Sequence, residues 1–272
     1  MLKKAKICLN YLWKKERYMR IYYKGRVAYD GTNYYGWQMQ KDFNTIQEEI
    51  EKALSQIFNV KRVVIVGASR TDSGVHALGQ LFNFHTEKDV DPNKLEKGMN
   101  SLLPSDIHIK NIEYTHEKFN SIQKASCKHY IYNYQYPPNP LKDRYSYTIY
   151  YKKPDFKKME MGAKMFEGKK DFNAYRNAPS KNPNKNTVCH IKKCMLERHK
   201  NGATLHIKGD GFLYNMIRIM AGTLLYIGYN KLTLKDIEKS FKYKDRKYTG
   251  KTLEASGLIL KHVYDRDNLR KN

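Results

Sequence analysis

Apolar positions along the chain follow two spacings, and each stretch marks its own element. Residues 20–29 (RIYYKGRVAY) are rich in β-formers and close on Asp30-Gly31-Thr32-Asn33, which predicts a strand ending in a turn. Thr45-Ile46-Gln47-Glu48 has the form of a capping box, and Ile46, Ile50, Leu54, Ile57 and Phe58 follow on one helical face. Residues 62–66 (RVVIV) predict a short buried strand and residues 79–86 another. A helix with proline at its start is expected over 92–103, and a strand over 107–114 ends the first half.

The second half repeats the theme. Residues 125–136 (ASCKHYIYNYQY) are aromatic-rich and partly alternating, and the aromatic run 130–136 is read as mostly core and sheet packing. Phe156, Met159, Ala163 and Phe166 recur at helical spacing before Gly168 stops the run. Strands are expected over 189–197 and 203–208. The helix expected over 212–226 is apolar on nearly every side, which implies deep burial or a subunit contact. A last short helix opens with Thr233 capping toward Asp236, and residues 258–264 form the closing strand. The order of elements predicts an α+β fold in two halves, 19–120 and 121–272, with mostly antiparallel sheets flanked by helices. Residues 1–18 stand before the first strand as an extension without assigned function, and Met19 is a candidate start.

Charge narrows the picture. Against 27 Asp and Glu the chain carries 51 Lys and Arg, a net charge of +24, spread over many segments and not gathered in one tail. A broad basic face of this kind fits a polyanion partner, nucleic acid above all, while a Lys-rich surface set by genome composition is the plain alternative. No run approaches the ~18 apolar residues of a membrane span. Four cysteines at irregular spacing do not make a disulfide framework and point to a reducing compartment. Residues 1–18 have neither the apolar core of a secretory signal nor the Arg- and Ser-rich character of a mitochondrial presequence.

The unusual chemistry lies in Val66-Gly67-Ala68-Ser69-Arg70-Thr71-Asp72-Ser73-Gly74-Val75-His76-Ala77. A strand runs into a loop of small and polar residues bearing one Arg, one Asp and one His, and then re-enters a strand. Small residues admit a ligand close to the backbone, and loops between strands commonly carry function. Arg70, two residues from Asp72, would favour the ionised carboxylate, fit to act as nucleophile or base. From the residues alone, an ordinary Asx-turn paired with its neighbour explains the loop equally well. Cys189, His190, Cys194 and His199 invite a zinc reading, but their spacing matches no usual finger and a strand would not turn all four one way; a structural role is preferred.

The Arg70–Ala77 block, with YDGTNYYGWQMQ (residues 29–40) and TIQEEIEKAL after it, resembles the tRNA pseudouridine synthase A family. Lys128-His129-Tyr130-Ile131-Tyr132, Asp171-Phe172, GFLYNMIRIMAGTLL (residues 211–225) and Ser256-Gly257-Leu258 extend the resemblance over residues 26–264. It implies the pseudouridine synthase fold, two α/β halves around a central basic cleft, and conversion of uridine to pseudouridine in the anticodon arm of tRNA, at positions 38 to 40. It implies Asp72 as the catalytic carboxylate and Tyr130 as the residue stacking on the target uracil, placed to take part in proton removal. Arg218 would pair with the aspartate, Leu258 would line the pocket, and Arg70 would flip the base or hold the displaced one. No metal, nucleotide or redox cofactor is implied; a homodimer holding tRNA across both subunits, in a bacterial cytoplasm and away from membranes, is.

Extrusion of a stacked base costs a few kcal/mol and needs a stacking partner, which suits these roles. The chain departs from the family at Phe119-Asn120-Ser121-Ile122, where an Arg is usual in place of Ile122, and at Asn186, Ser69 and Asn215. A paralogue with a different RNA target, an RNA-binding module with little catalysis, and a non-RNA enzyme using the Arg70/Asp72 loop are the competing readings. His76 is expected to orient the loop by hydrogen bonding. Tyr34, Tyr35 and Trp37 are expected to pack near the cleft floor.

Overall fold

The computed structural model describes residues 20–177 and 186–267; the extension 1–18 and Met19 lie outside the described residues. Strand β1 (Ile21–Tyr29) buries Tyr23, Val27 and Tyr29 as its pattern predicts. Helix α1 (Ile46–Phe58) turns Ile46, Ile50, Leu54 and Phe58 inward. The capping box expected at its start does not form. The Thr45 hydroxyl makes no cap bond and stays buried without a partner, at a cost of about 1–3 kcal/mol. The N–H groups of Ile46 and Gln47 instead donate to the carbonyls of Gly36 and Trp37, at 3.2 and 3.0 Å, and Glu48 pairs with Lys52. A preceding loop has taken the place of a side-chain cap.

The strand expected over 62–66 shrinks to β2 (Val66–Gly67), paired with β3 (His76–Thr86). Val63 and Ile65 are buried, but their N–H groups donate to Ser55 Oγ and Glu51 Oε1 of α1, at 3.0 and 3.1 Å. Side chains of a helix therefore satisfy a backbone that a sheet was expected to pair. Helix α2 (Pro92–Leu102), β4 (Ile107–Thr115), the short α3 (Ser121–Lys124) and β5 (Ala125–Gln135) follow. Then come β6 (Tyr147–Thr148), α4 (Phe156–Lys164), β7 (Gly168–Asp171), β8 (Val188–His199) and β9 (Gly202–Gly209). Helices α5 (Met216–Gly228) and α6 (Leu234–Tyr243) precede the last strand, β10 (Leu258–Asp265). The Thr233–Asp236 capping box of α6 does form.

All strands join one sheet in the order β4-β1-β3-β10-β5-β9-β8-β7, with β2 and β6 off this path. Pairing is antiparallel except for β3 with β10 and β5 with β6, so the α+β, mostly antiparallel expectation holds. The central β3–β10 pair positions the site. Because its strands run parallel, Ile259 beside His76, both begin at the same end of the sheet. The Asp72 loop enters β3 at that end, and Gly257 enters β10 there.

Helix α5 begins four residues later than expected, because Asn215 takes a left-handed φ of 57° and residues 212–215 form a loop. Its side chains are buried within the chain, Arg218 and Tyr226 being the half-buried exceptions. Deep burial, and not a subunit contact, explains its apolar surface. A side chain at Gly222 would put Cβ 1.9 Å from the Lys251 carbonyl, so residues 250–253 lie directly on this helix. Among the described residues no helix is long and apolar enough to cross a membrane.

Candidate active site

Residues 68–75 are a loop that the segment 31–37 clamps from one side. Trp37 N donates to the Thr71 carbonyl at 3.1 Å, Gly74 N to the Tyr34 carbonyl at 3.2 Å, and the Thr71 and Tyr29 hydroxyls lie 2.8 Å apart. Gly36 makes this approach possible. Its φ is +89°, and a Cβ there would stand 2.5 Å from the Thr71 carbonyl oxygen. His76 acts on the same junction, as expected: its Nδ1 sits 3.1 Å from Gly31 N and 3.0 Å from Asp30 Oδ1, and burial lowers its pKa. Tyr34 and Trp37 are buried under the loop, whereas Tyr35 is 53% exposed and packs on Phe43, away from the floor where it was expected.

Asp72 projects from this loop toward Arg218 of α5, with Oδ2 3.9 Å from Nη1. Burial raises the Asp72 pKa above the ordinary carboxylate value, and the Arg218 charge restrains the rise. Arg70, expected to favour the ionised form, does not supply that charge. It stands exposed at the rim, and the pairing cation comes from the other half of the chain. Two acceptors hold Arg218: the Leu253 carbonyl takes Nε–H at 2.6 Å and Asn215 Oδ1 takes Nη1–H at 2.9 Å. The contact of residues 250–253 with Gly222 places the first, and the left-handed turn at Asn215 places the second.

A cleft of about 500 Å³ opens in front of Asp72, and Arg70, Tyr130 and Leu258 all line it. Arg218 is not part of its wall; it backs the carboxylate from behind. Tyr130 lies on β5 with its ring edge-on to Phe212, centroids 5.3 Å apart, and its hydroxyl 2.8 Å from Ser69 Oγ. Burial pushes the phenol up to about 12, the Ser69 bond opposing and the Asp72 charge adding to it. The neighbouring Tyr132 and Tyr134 are core residues. Leu258, at the head of β10, gives an apolar wall.

The structure thus brings Asp72, Tyr130, Arg218, Leu258 and Arg70 to one place. Sequence reasoning gave no role to three further neighbours: Asn215, noted only as a departure from the family, which aims Arg218; Tyr214, 57% exposed on the cleft rim; and Lys128 in the cleft wall. The signal for Lys128 was its spacing, two residues before Tyr130 on one strand and so on the same face. Ile122, where an arginine is usual, also lines the cleft and is 55% exposed. Cys194 of the suspected zinc set is fully buried and His190 pairs with Asp210, and among the described residues no group of three His, Cys, Asp or Glu is placed to hold a metal.

Comparison with known proteins identifies the family. The profile of the tRNA pseudouridine synthase family matches residues 26–121 and 163–264. A tRNA pseudouridine synthase A of Acetivibrio thermocellus is 41% identical over 241 residues, covering 88% of this chain and 97% of that one. The enzyme of that name from Ruminiclostridium cellulolyticum is 38% identical over 244 residues, covering 88% and 97%. A tRNA pseudouridine synthase A 1 of Protochlamydia amoebophila is 35% identical over 250 residues, covering 90% and 97%. The two stretches matched by the profile contain both Asp72 and Arg218, and the chain belongs to the tRNA pseudouridine synthase family.

Proposed function

We propose that the protein isomerises uridine to pseudouridine at positions 38 to 40 in the anticodon arm of tRNA, with Asp72 as the catalytic carboxylate. The observation that carries this reading is the Asp72 carboxylate at the cleft wall, half-buried and backed by Arg218 at 3.9 Å. The reaction breaks the N1–C1′ bond, joins C5 to C1′, releases the C5 proton and returns a proton to N1. Asp72 serves it in the ionised form, which Arg218 favours against the desolvation of the site. Tyr130 offers a ring to the extruded uracil, Leu258 excludes water beside it, and Arg70 at the rim meets the displaced part of the RNA. The two halves, 19–120 and 121–272, each give part of the site: Asp72 and Arg70 from the first, Tyr130, Arg218 and Leu258 from the second.

The net charge of +24, spread along the chain, supports a tRNA partner; the reading places that tRNA across a homodimer, in the cytoplasm. Incubation of unmodified tRNA transcripts, followed by mapping of pseudouridine, tests the reading. Conversion confined to the anticodon arm is expected; no conversion, or conversion elsewhere, contradicts it. Light scattering at micromolar protein tests the dimer, which a monomer mass would rule out.

A further inference from the structure

Lys128 is a charged side chain in the cleft wall with no part in the chemistry of Asp72. It precedes Tyr130 by two residues on β5, so both side chains leave the same face of the strand. Its neighbours across the sheet are Gly209 on β9, which has no side chain, and Val263 on β10, which has no charge. Among the described residues its ammonium has no salt-bridge or hydrogen-bond partner, and the one acid lining the cleft, Asp72, is engaged by Arg218. Burial lowers the Lys128 pKa with no charged neighbour to offset it. A cation drawn out of water and left unpaired in a binding cleft is costly to the free protein. A ligand with a full negative charge removes that cost, whereas a neutral uracil carbonyl does not.

We infer that Lys128 holds a backbone phosphate flanking the extruded uridine, clamping the nucleotide while Tyr130 takes its base. This rests on the pseudouridylation reading and adds a residue to it. Alternate residues on a strand stand about 7 Å apart, a separation comparable with that between a nucleobase and its own phosphate. Two neighbours on one strand face thus address the two ends of one nucleotide. The compact ammonium of a lysine suits a single phosphate oxygen and does not demand the planar, bidentate fit of an arginine.

The test uses the full chain and an RNA hairpin that carries the target uridine. A second and third hairpin replace the phosphate on its 5′ or 3′ side with an uncharged methylphosphonate. Lys128→Met should bind the native hairpin roughly tenfold more weakly, as loss of a charge-assisted contact implies. It should also reduce the slope of log Kd against log salt by about 0.7–0.9. One methylphosphonate should weaken the wild type to the same degree and leave Lys128→Met unchanged, and Lys128→Arg should keep most of the wild-type slope. At saturating RNA, kcat should change much less than KM.

Equal losses from both methylphosphonates in wild type and Lys128→Met would overturn the inference, as would a fall in kcat without a change in salt slope. Melting curves of Lys128→Met and Lys128→Arg separate misfolding from lost contact; should the Met variant not fold, a wild type indifferent to both methylphosphonates overturns the inference by itself. Conversion by the wild type is read in the same reactions. A wild-type blank is therefore failure of the functional reading, and full conversion without phosphate coupling is failure of this inference.

Discussion

Asp72 and Arg218 stand 146 residues apart in the sequence and face each other across 3.9 Å, the arginine fixed from behind by the Leu253 carbonyl and Asn215. The distance is long for a tight ion pair. It leaves the carboxylate oriented by a positive field without being occupied by it. Burial and Arg218 pull the Asp72 pKa in opposite directions, and burial prevails.

Removal of the Arg218 charge therefore has a signed consequence. Arg218→Met takes away the group that lowers the Asp72 pKa, so the carboxylate takes up its proton at higher pH. The acid limb of the kcat/KM profile should move to higher pH, with the larger loss of activity on the acid side. An unmoved acid limb would show that Arg218 does not set the ionisation of Asp72.

Stability should run against activity at the same residue. The folded-state pKa of Asp72 is raised, so the folded state holds its proton more firmly than the unfolded chain. Its unfavourable contribution is absent below the unfolded value, near 3.8, and grows as pH rises through the folded value. Asp72→Asn should thus match or exceed the wild type in Tm at neutral pH, and the advantage should vanish in acid. Thermal melts at pH 7 and below pH 4 check the sign; a variant less stable at pH 7 than the wild type contradicts it.

Tyr130 carries two separable features, a ring and a hydroxyl bonded to Ser69. Tyr130→Leu removes the ring and should weaken RNA binding by about 1–3 kcal/mol, while Tyr130→Phe should keep the affinity nearly intact. Ser69→Ala leaves a buried phenol unsatisfied and should cost about 1–3 kcal/mol of stability. In a double-mutant cycle with Tyr130→Phe the two losses should couple by about 1 kcal/mol. Additive losses would mean that the 2.8 Å contact does not contribute.

The clamp on the loop is testable at Gly36, which is not among the residues that line the cleft. Gly36→Ala places a side chain at φ +89° and against the Thr71 carbonyl. A loss of about 2 kcal/mol is expected, with Tm falling by roughly 5 °C for a chain of this size. Activity measured well below that Tm should fall further than stability explains, because Thr71 adjoins Asp72. Unchanged Tm and activity would remove Gly36 from the account.

Much of this was legible in the sequence, for identifiable reasons. Asp72, Tyr130 and Leu258 sit in short contiguous motifs, and the strands around them have the period-2 pattern of half-buried sheet. Arg218 was legible only as part of a motif, since nothing local says that α5 will face the Asp72 loop. Local sequence alone put the charge beside Asp72 on Arg70, which is adjacent in the chain but goes to the rim, whereas the resemblance pointed to Arg218, which does pair with it. The parallel β3–β10 pair joins residues more than 180 apart, a contact that periodicity does not encode. Thr45 and residues 62–66 failed through tertiary override. Two loop carbonyls and helix side chains claimed the backbone groups that local rules had assigned to a cap and a strand.

The central claim is that Asp72 performs the isomerisation. Transfer of C1′ from N1 to C5 expels the C5 hydrogen, so an anticodon stem-loop carrying 5-tritiated uridine releases tritium to water only as the reaction proceeds. Wild-type protein should release tritium from the anticodon-arm uridines, and Asp72→Asn, folded and RNA-bound, should release it at least ~10³-fold more slowly, about 4 kcal/mol of barrier. Release at comparable rates by both proteins would contradict the account.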